Sequence, residues 1–363
     1  MRLGLSLMTF AMITSSTFAA DAAYWVYYGC YTGNGATDSR GINRSRFDPK
    51  SGELSKPEEV AIIGSPSFLA IHPSKKSMYA VGEGAGGVSA FEMDAKAGSL
   101  KKLNSLPSGG AGPCHVAVSP DGKTAVVSNY GGGSCAFYRI AAEGSLEKQI
   151  AFFQHTGKGQ EKAHGHCGMF SPDGKFCYVC DLGLDCVRVY SIGNDVLAAG
   201  EITLPPKSGP RHIAISPKGD LAFVNGETDF TVNVVKLDPT KGVGEVTQTI
   251  STLPGGKKVA GNSTAEVLLH PNGNFVYCSN RGHNSIAAFA WDGSKLTAIG
   301  HATQGIKVPR NFNIDPTGQW MLVANQDGND VCVFKIGSDG VPQPTGTIVP
   351  TGKPVCIKFV PIE

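Results

Sequence analysis

Beyond about residue 20 the chain is a succession of short apolar runs separated by turns rich in Gly, Pro, Asn and Asp. His115 to Val118 is one such run. Ser119-Pro-Asp-Gly-Lys follows with turn chemistry, Pro presetting φ and Gly accepting a positive φ. Thr124 to Ser128 is a second run, Asn129-Tyr-Gly-Gly-Gly a second turn, and Ser134 to Ile140 a third run before a less regular fourth. Runs of this length bounded by turn residues read as β-strands. Apolar residues on both faces of the inner runs place them between covered layers. No later segment keeps a helical period over three turns, and 47 glycines and 22 prolines interrupt the chain throughout.

The unit repeats. Phe68-Leu-Ala-Ile-His-Pro, His115-Val-Ala-Val-Ser-Pro, Cys167-Gly-Met-Phe-Ser-Pro, His212-Ile-Ala-Ile-Ser-Pro, Glu266-Val-Leu-Leu-His-Pro and Asn311-Phe-Asn-Ile-Asp-Pro are versions of one segment, spaced 45 to 54 residues apart. Four short antiparallel strands at that period make a propeller blade. The remainder is split: Val355-Cys-Ile-Lys-Phe-Val resembles an inner strand, and Tyr24 to Cys30 and Gly41 to Asp48 resemble the strands that follow it. Joined, they form a seventh blade closed by both chain ends, which removes an exposed sheet edge. The expected fold is therefore all-β: a seven-bladed β-propeller closed by N- and C-terminal strands in one blade. At roughly 49 residues per blade, residues 21–363 form a single domain.

Composition narrows the partners. The formal net charge is +2 and Lys and Arg are dispersed, which excludes a nucleic-acid footprint. Arg2, the apolar stretch that follows and a run of small residues read as a signal peptide over residues 1–20. The stretch is too short to span a bilayer. The protein is expected to be exported, periplasmic or secreted, to keep no membrane attachment after cleavage, and to be a monomer. Of the ten cysteines, most lie inside β runs (Cys135, Cys177, Cys186, Cys278, Cys332 and Cys356) and read as small core residues. One or two disulfides stay open. Cys177 and Cys180 project to opposite faces of a strand, which argues against a shared metal or redox site.

Candidate chemistry follows from the repeat. An inner strand and the returning second strand bring two positions to one end of the channel. The first, six residues before each repeat proline, holds Ser67, Cys114, His166, Arg211, Ala265 and Arg310; the second, after the second strand, holds Glu83, Tyr130, Leu182, Glu227, Arg281 and Gln326. Turns at the opposite end use ordinary turn residues. A ring with three arginines, a histidine and two carboxylates reads as an anion-binding catalytic pocket; the competing reading is salt bridges between blades. His115, His212 and Glu266 fall one residue further on, so strand alternation points them away from the channel side, to support the ring from behind or hydrogen-bond between blades. His164 shares a face with His166, but no third ligand joins them, so no metal and no cofactor is expected.

The segments Gly209-Pro-Arg-His-Ile-Ala-Ile-Ser-Pro, Ser279-Asn-Arg-Gly-His-Asn-Ser-Ile, His164-Gly-His-Cys and Val127-Ser-Asn-Tyr-Gly-Gly-Gly-Ser resemble the propeller-type lactonase family, which includes bacterial 6-phosphogluconolactonases and the fungal 3-carboxy-cis,cis-muconate lactonizing enzyme. The resemblance covers nearly the whole mature chain. It implies a metal-free site in one channel mouth built from His166, Arg211, Glu227 and Arg281; His164, Tyr130 and Arg310, placed at the same mouth by the repeat, are expected to bind substrate. The implied reaction is hydrolysis of a small anionic lactone, with His166 or Glu227 as base. A carboxymuconate-type cycloisomerase and a non-catalytic binding propeller are the alternatives. The sequence departs from the pattern at Gly226, where the family often has Asn; a small residue there is expected to free space and remove a hydrogen-bonding group.

Overall fold

The structure is a computed structural model that describes residues 23–363 apart from 34, 36, 37, 158 and 160. The expected leader lies outside these residues. The chain forms seven antiparallel sheets. We number the blades by their inner strands: Leu69–Ile71 (blade 1), Pro113–Val118 (2), Gly165–Phe170 (3), Pro210–Ile215 (4), Ser263–Leu269 (5), Pro309–Ile314 (6) and Pro354–Pro361 (7). Neighbouring inner strands touch around a closed ring, blade 7 meeting both blade 6 and blade 1. In blade 7 the C-terminal strand pairs with Tyr24–Cys30, which pairs with Gly41–Asp48, as the split repeat requires.

The second strands are the most apolar, because each is covered on both sides by neighbouring blades. Thr124–Asn129 is buried at every position, whereas the outer strand Leu146–Gln154 is largely exposed. The core is correspondingly a set of interfaces. Ala117, Val126 and Phe137 of blade 2 pack with Phe170, Val179 and Tyr190 of blade 3; Phe223 and Val234 of blade 4 pack with Val276 and Phe289 of blade 5. Each such buried side chain is worth on the order of 1.5–3 kcal/mol. Tyrosines add hydrogen bonds across the same seams. The Tyr27, Tyr79 and Tyr277 hydroxyls donate to the carbonyls of Gly98, Gly144 and Gly340 in the next blade, at 2.9, 2.8 and 2.8 Å. All ten cysteines are buried free thiols, so neither of the disulfides left open is formed. Cys177 and Cys180 do face different blade interfaces.

One irregularity matters for the site. In blades 2 to 7 the pairing of inner and second strand slips by a residue near the start of the inner strand, as at Gly165/Gly168, Pro210/Ile213 and Thr264/Val267. A bulge breaks the alternation of side chains and lets consecutive residues face the same way.

Candidate active site

The bulges crowd the channel. Ser67 and Phe68, Arg211 and His212, and Arg310 and Asn311 line one narrow cavity together with Cys114, His166 and Val355. The positions six before each proline thus converge as expected. The expectation that His115, His212 and Glu266 point away is corrected: all three line the channel below the mouth. The bulge rotates them inward where a regular strand would have turned them out.

At the mouth, Glu227 follows the second strand of blade 4 and bridges two guanidiniums. Arg211 Nε lies 2.8 Å from its Oε2 and Arg281 NH2 lies 2.9 Å from its Oε1. Both arginines are also tied to backbone: Arg281 NH2 donates to the Thr264 carbonyl at 2.9 Å and Arg211 NH1 to the Ala265 carbonyl. Burial works to raise the Glu227 pKa, but Arg211 and Arg281 outweigh it and hold the carboxyl below its usual range. Burial lowers Arg281 to about 10, with Arg211 adding to the shift, so it stays cationic at neutral pH. His166 is buried, and burial, Arg211, His212 and Arg310 push it well below the usual histidine range. It is therefore a neutral imidazole.

The remaining candidates surround these four. Tyr130 stacks on His164 with centroids 4.5 Å apart and meets His166 edge-on at 5.8 Å. His164 Nδ1 bonds the Tyr130 carbonyl at 2.9 Å, so His164 braces Tyr130, and the inner strand starts only after it. Arg310 lies over the Tyr31 ring at 5.4 Å, and the Tyr31 hydroxyl donates to Glu83 at 3.3 Å. The competing reading of these charges is partly right, because Glu227 does join blades 4 and 5. Yet Ser67 Oγ, Glu83 Oε2, His166 Nδ1, Arg281 Nε and Gln326 Oε1 are all buried without a hydrogen-bond partner among the described residues. Each such atom costs about 1–3 kcal/mol. Their convergence on one mouth is what a polar ligand would repay.

Gly226 does not open space. A side chain there would run into the Asp229 carboxylate and Ser208. The Asp229 carboxylate, which accepts from the Thr231 hydroxyl at 2.8 Å, occupies the space beside Gly226. His115, Cys167 and His212 bring three potential ligand atoms within 4.8 Å of one another. The Gly168 N–H donates to His115 Nδ1 at 3.3 Å, which puts the ring proton on Nε2, facing Cys167 Sγ at 3.3 Å. That nitrogen has no lone pair for a metal, so the trio fits a hydrogen-bonded cluster better than a metal centre.

Residues 25–359 match the family model "Lactonase, 7-bladed beta-propeller". The chain is 32% identical over 354 residues to the 6-phosphogluconolactonase of Bacillus subtilis, covering 93% of this chain and 98% of that protein. It is 34% identical over 314 residues to the 6-phosphogluconolactonase of Formosa agariphila, covering 81% and 88%. Among solved structures, the periplasmic gluconolactonase of Pseudomonas aeruginosa superposes with a TM-score of 0.88 at 28% identity, covering 94% of this chain and all (100%) of that one.

Proposed function

The chain belongs to the family of seven-bladed β-propeller lactonases, and from that membership we propose that it hydrolyses a sugar-type lactone at the mouth bounded by His166, Arg211, Glu227 and Arg281. The observation that carries the assignment of this mouth is its surplus of unmet polar capacity. Three arginines face two carboxylates, Glu83 and Glu227, and five buried polar atoms wait for a partner. A lactone carbonyl becomes an oxyanion on attack by water, and preorganised donors stabilise that charge. Neutral His166 donates to the carbonyl oxygen, and the cationic Arg281 guanidinium stabilises the developing charge. Glu227 has both oxygens on guanidiniums and a lowered pKa, so its role is to hold the two forks in place. Arg310, with no carboxylate in ion-pair range among the described residues, meets the anionic end of the substrate.

The relatives named 6-phosphogluconolactonase support a sugar-acid lactone, and the periplasmic gluconolactonase supports one without phosphate. We place the mature protein outside the cytoplasm, as a monomer, after removal of residues 1–20. No helix among the described residues is long and apolar enough to cross a membrane. The test is acid release from gluconolactone and from 6-phosphogluconolactone by the purified protein. Hydrolysis well above the spontaneous rate, and selective between the two, is expected. Rates equal to the buffer blank on both, and on other sugar lactones, would overturn the reading.

A further inference from the structure

Below the mouth lies a second set of polar groups that the arginine array does not use. Glu266 of blade 5 is buried, yet its carboxylate is fully engaged. Oε1 accepts from His212 Nδ1 at 2.7 Å and from the Val267 N–H at 3.1 Å, and Oε2 accepts from Asn311 Nδ2. Three consecutive blades thus build one arrangement. Because the Nδ1–H of His212 is given to Glu266, the lone pair of the neutral ring is on Nε2. That nitrogen has no hydrogen-bond partner among the described residues. His212 shares the narrow neck of the channel with His166, Arg211 and Arg310. The neck leaves about 10 Å³ for a water centre, room for about one molecule.

The neighbours of His212 fix its protonation. Glu266 comes from blade 5, His115 from blade 2, His166 and Cys167 from blade 3, Arg211 precedes it, Arg310 projects from blade 6, and Lys358 of blade 7 lies over Phe68 of blade 1. Burial, Arg211 and Arg310 lower the His212 pKa, and Glu266 opposes them. The net effect leaves a neutral ring at pH 7 whose cation has a carboxylate waiting for it. Neither other candidate base has both properties. Glu227 is occupied by two guanidiniums, and His166 would have to become a cation beside Arg211 and Arg310 with no carboxylate behind it.

We propose that His212, held by Glu266, is the general base that activates the attacking water. The proposal rests on the lactonase reading. The water oxygen bonds the lactone carbonyl carbon while its proton passes to His212 Nε2. The tetrahedral oxyanion, held by His166 and the arginines, then collapses. The ring C–O bond breaks, and His212 returns the proton to the departing ring oxygen. The products are a hydroxy acid, which ionises to solvent, and neutral His212. Glu266 is a positioning residue that keeps the tautomer and stabilises the imidazolium.

The experiment measures hydrolysis of the preferred sugar lactone by wild type, His212→Gln and Glu266→Gln between pH 5 and 8, with thermal unfolding as a fold check. A general base contributes about 10²–10⁴-fold, so folded His212→Gln should lose at least about 10² in kcat with KM changed by less than about threefold. Glu266→Gln removes the group that raises the His212 pKa, so the acid limb of kcat should move to lower pH as kcat falls. If His212→Gln does not fold, the Glu266→Gln profile decides: a displaced limb supports the base, and an unmoved limb with normal kcat overturns it. Wild-type kcat in folded His212→Gln also overturns it while leaving the lactonase reading intact. Absence of hydrolysis by the wild type overturns both.

Discussion

Two buried carboxylate–histidine pairs lie among the described residues, one joining blades 2 and 3 and one in the channel. Between blades 2 and 3, His155 Nδ1 is 2.5 Å from Asp181 Oδ2, and His155 Nε2 bonds the Tyr190 hydroxyl at 2.9 Å. Asp181 also accepts backbone N–H groups of His164, Gly183 and Leu184. Every polar atom of that ring is used inside the fold. In the channel, Glu266 is just as well satisfied, but the second nitrogen of His212 has no partner among the described residues, and the residue lines a water-sized neck. The same pairing of a histidine with a carboxylate therefore closes a structural network in one place and, on our proposal, serves chemistry in the other. What separates them is the partner of one ring nitrogen. A closed network of this kind fixes a blade; an open one leaves a lone pair for a reactant.

The sharpest way to break the comparison is to remove each histidine. His155→Ala strips a buried carboxylate of its main partner, which costs about 3–5 kcal/mol. Thermal unfolding should show a midpoint lower by roughly 4–7 °C, with kcat of the remaining folded protein unchanged. A large kcat loss in folded protein would place the His155–Asp181 pair in the chemistry as well. Next in size is Arg211→Ala. Loss of a preorganised donor costs about 10²–10³, so kcat/KM on the sugar lactone should fall by that factor. Arg211→Lys should recover only part, because a point charge cannot contact Glu227, the Ala265 carbonyl and substrate through one planar fork. Full recovery would reduce Arg211 to a charge.

A smaller effect is expected from Glu227→Gln. The guanidiniums lose their common anchor but stay in place through the Thr264 and Ala265 carbonyls. A loss of about tenfold in kcat/KM, mostly in KM, would match a pinning role. A loss confined to kcat would return Glu227 to the position of base. The mildest test is pH. His115, His166 and His212 all have folded pKa values below the ordinary 6.5, burial being the first cause in each. The unfolded chain binds their protons more readily, so stability is complete above about pH 6.5 and is lost as pH falls through the folded values. Calorimetric midpoints should decline by a few degrees, about 2–6 °C, from pH 7 to 5. His166→Gln should flatten that slope; an unchanged slope would contradict its burial as a neutral ring.

The sequence reading shows which features repeats can carry. The proline spacing, the split seventh blade and the ring of positions at the mouth are consequences of topology, so they could be read from periodicity. The pairing of Arg211, Glu227 and Arg281 follows once neighbouring blades are known to adjoin. Strict alternation misplaces His212 and Glu266 because the inner strands of blades 2 to 7 carry a bulge. A bulge has no residue signature of its own here: the slipped positions are as different as Cys114, Arg310 and Val355. The consecutive polar residues Arg211-His212 and Arg310-Asn311 were the available hint, since a regular covered strand would have buried one of each pair among apolar neighbours. Gly226 was misread for a related reason. Its space is filled by Asp229, three residues on, and a turn's folding back cannot be read from one position.

Arg281→Ala and His155→Ala, assayed side by side on the preferred sugar lactone, test most directly whether hydrolysis belongs to the channel mouth. The account predicts that Arg281→Ala keeps the wild-type melting midpoint within a few degrees and loses about 10² or more in kcat/KM, while His155→Ala melts early and keeps kcat/KM per folded molecule. Wild-type kcat/KM in a folded Arg281→Ala protein would contradict it.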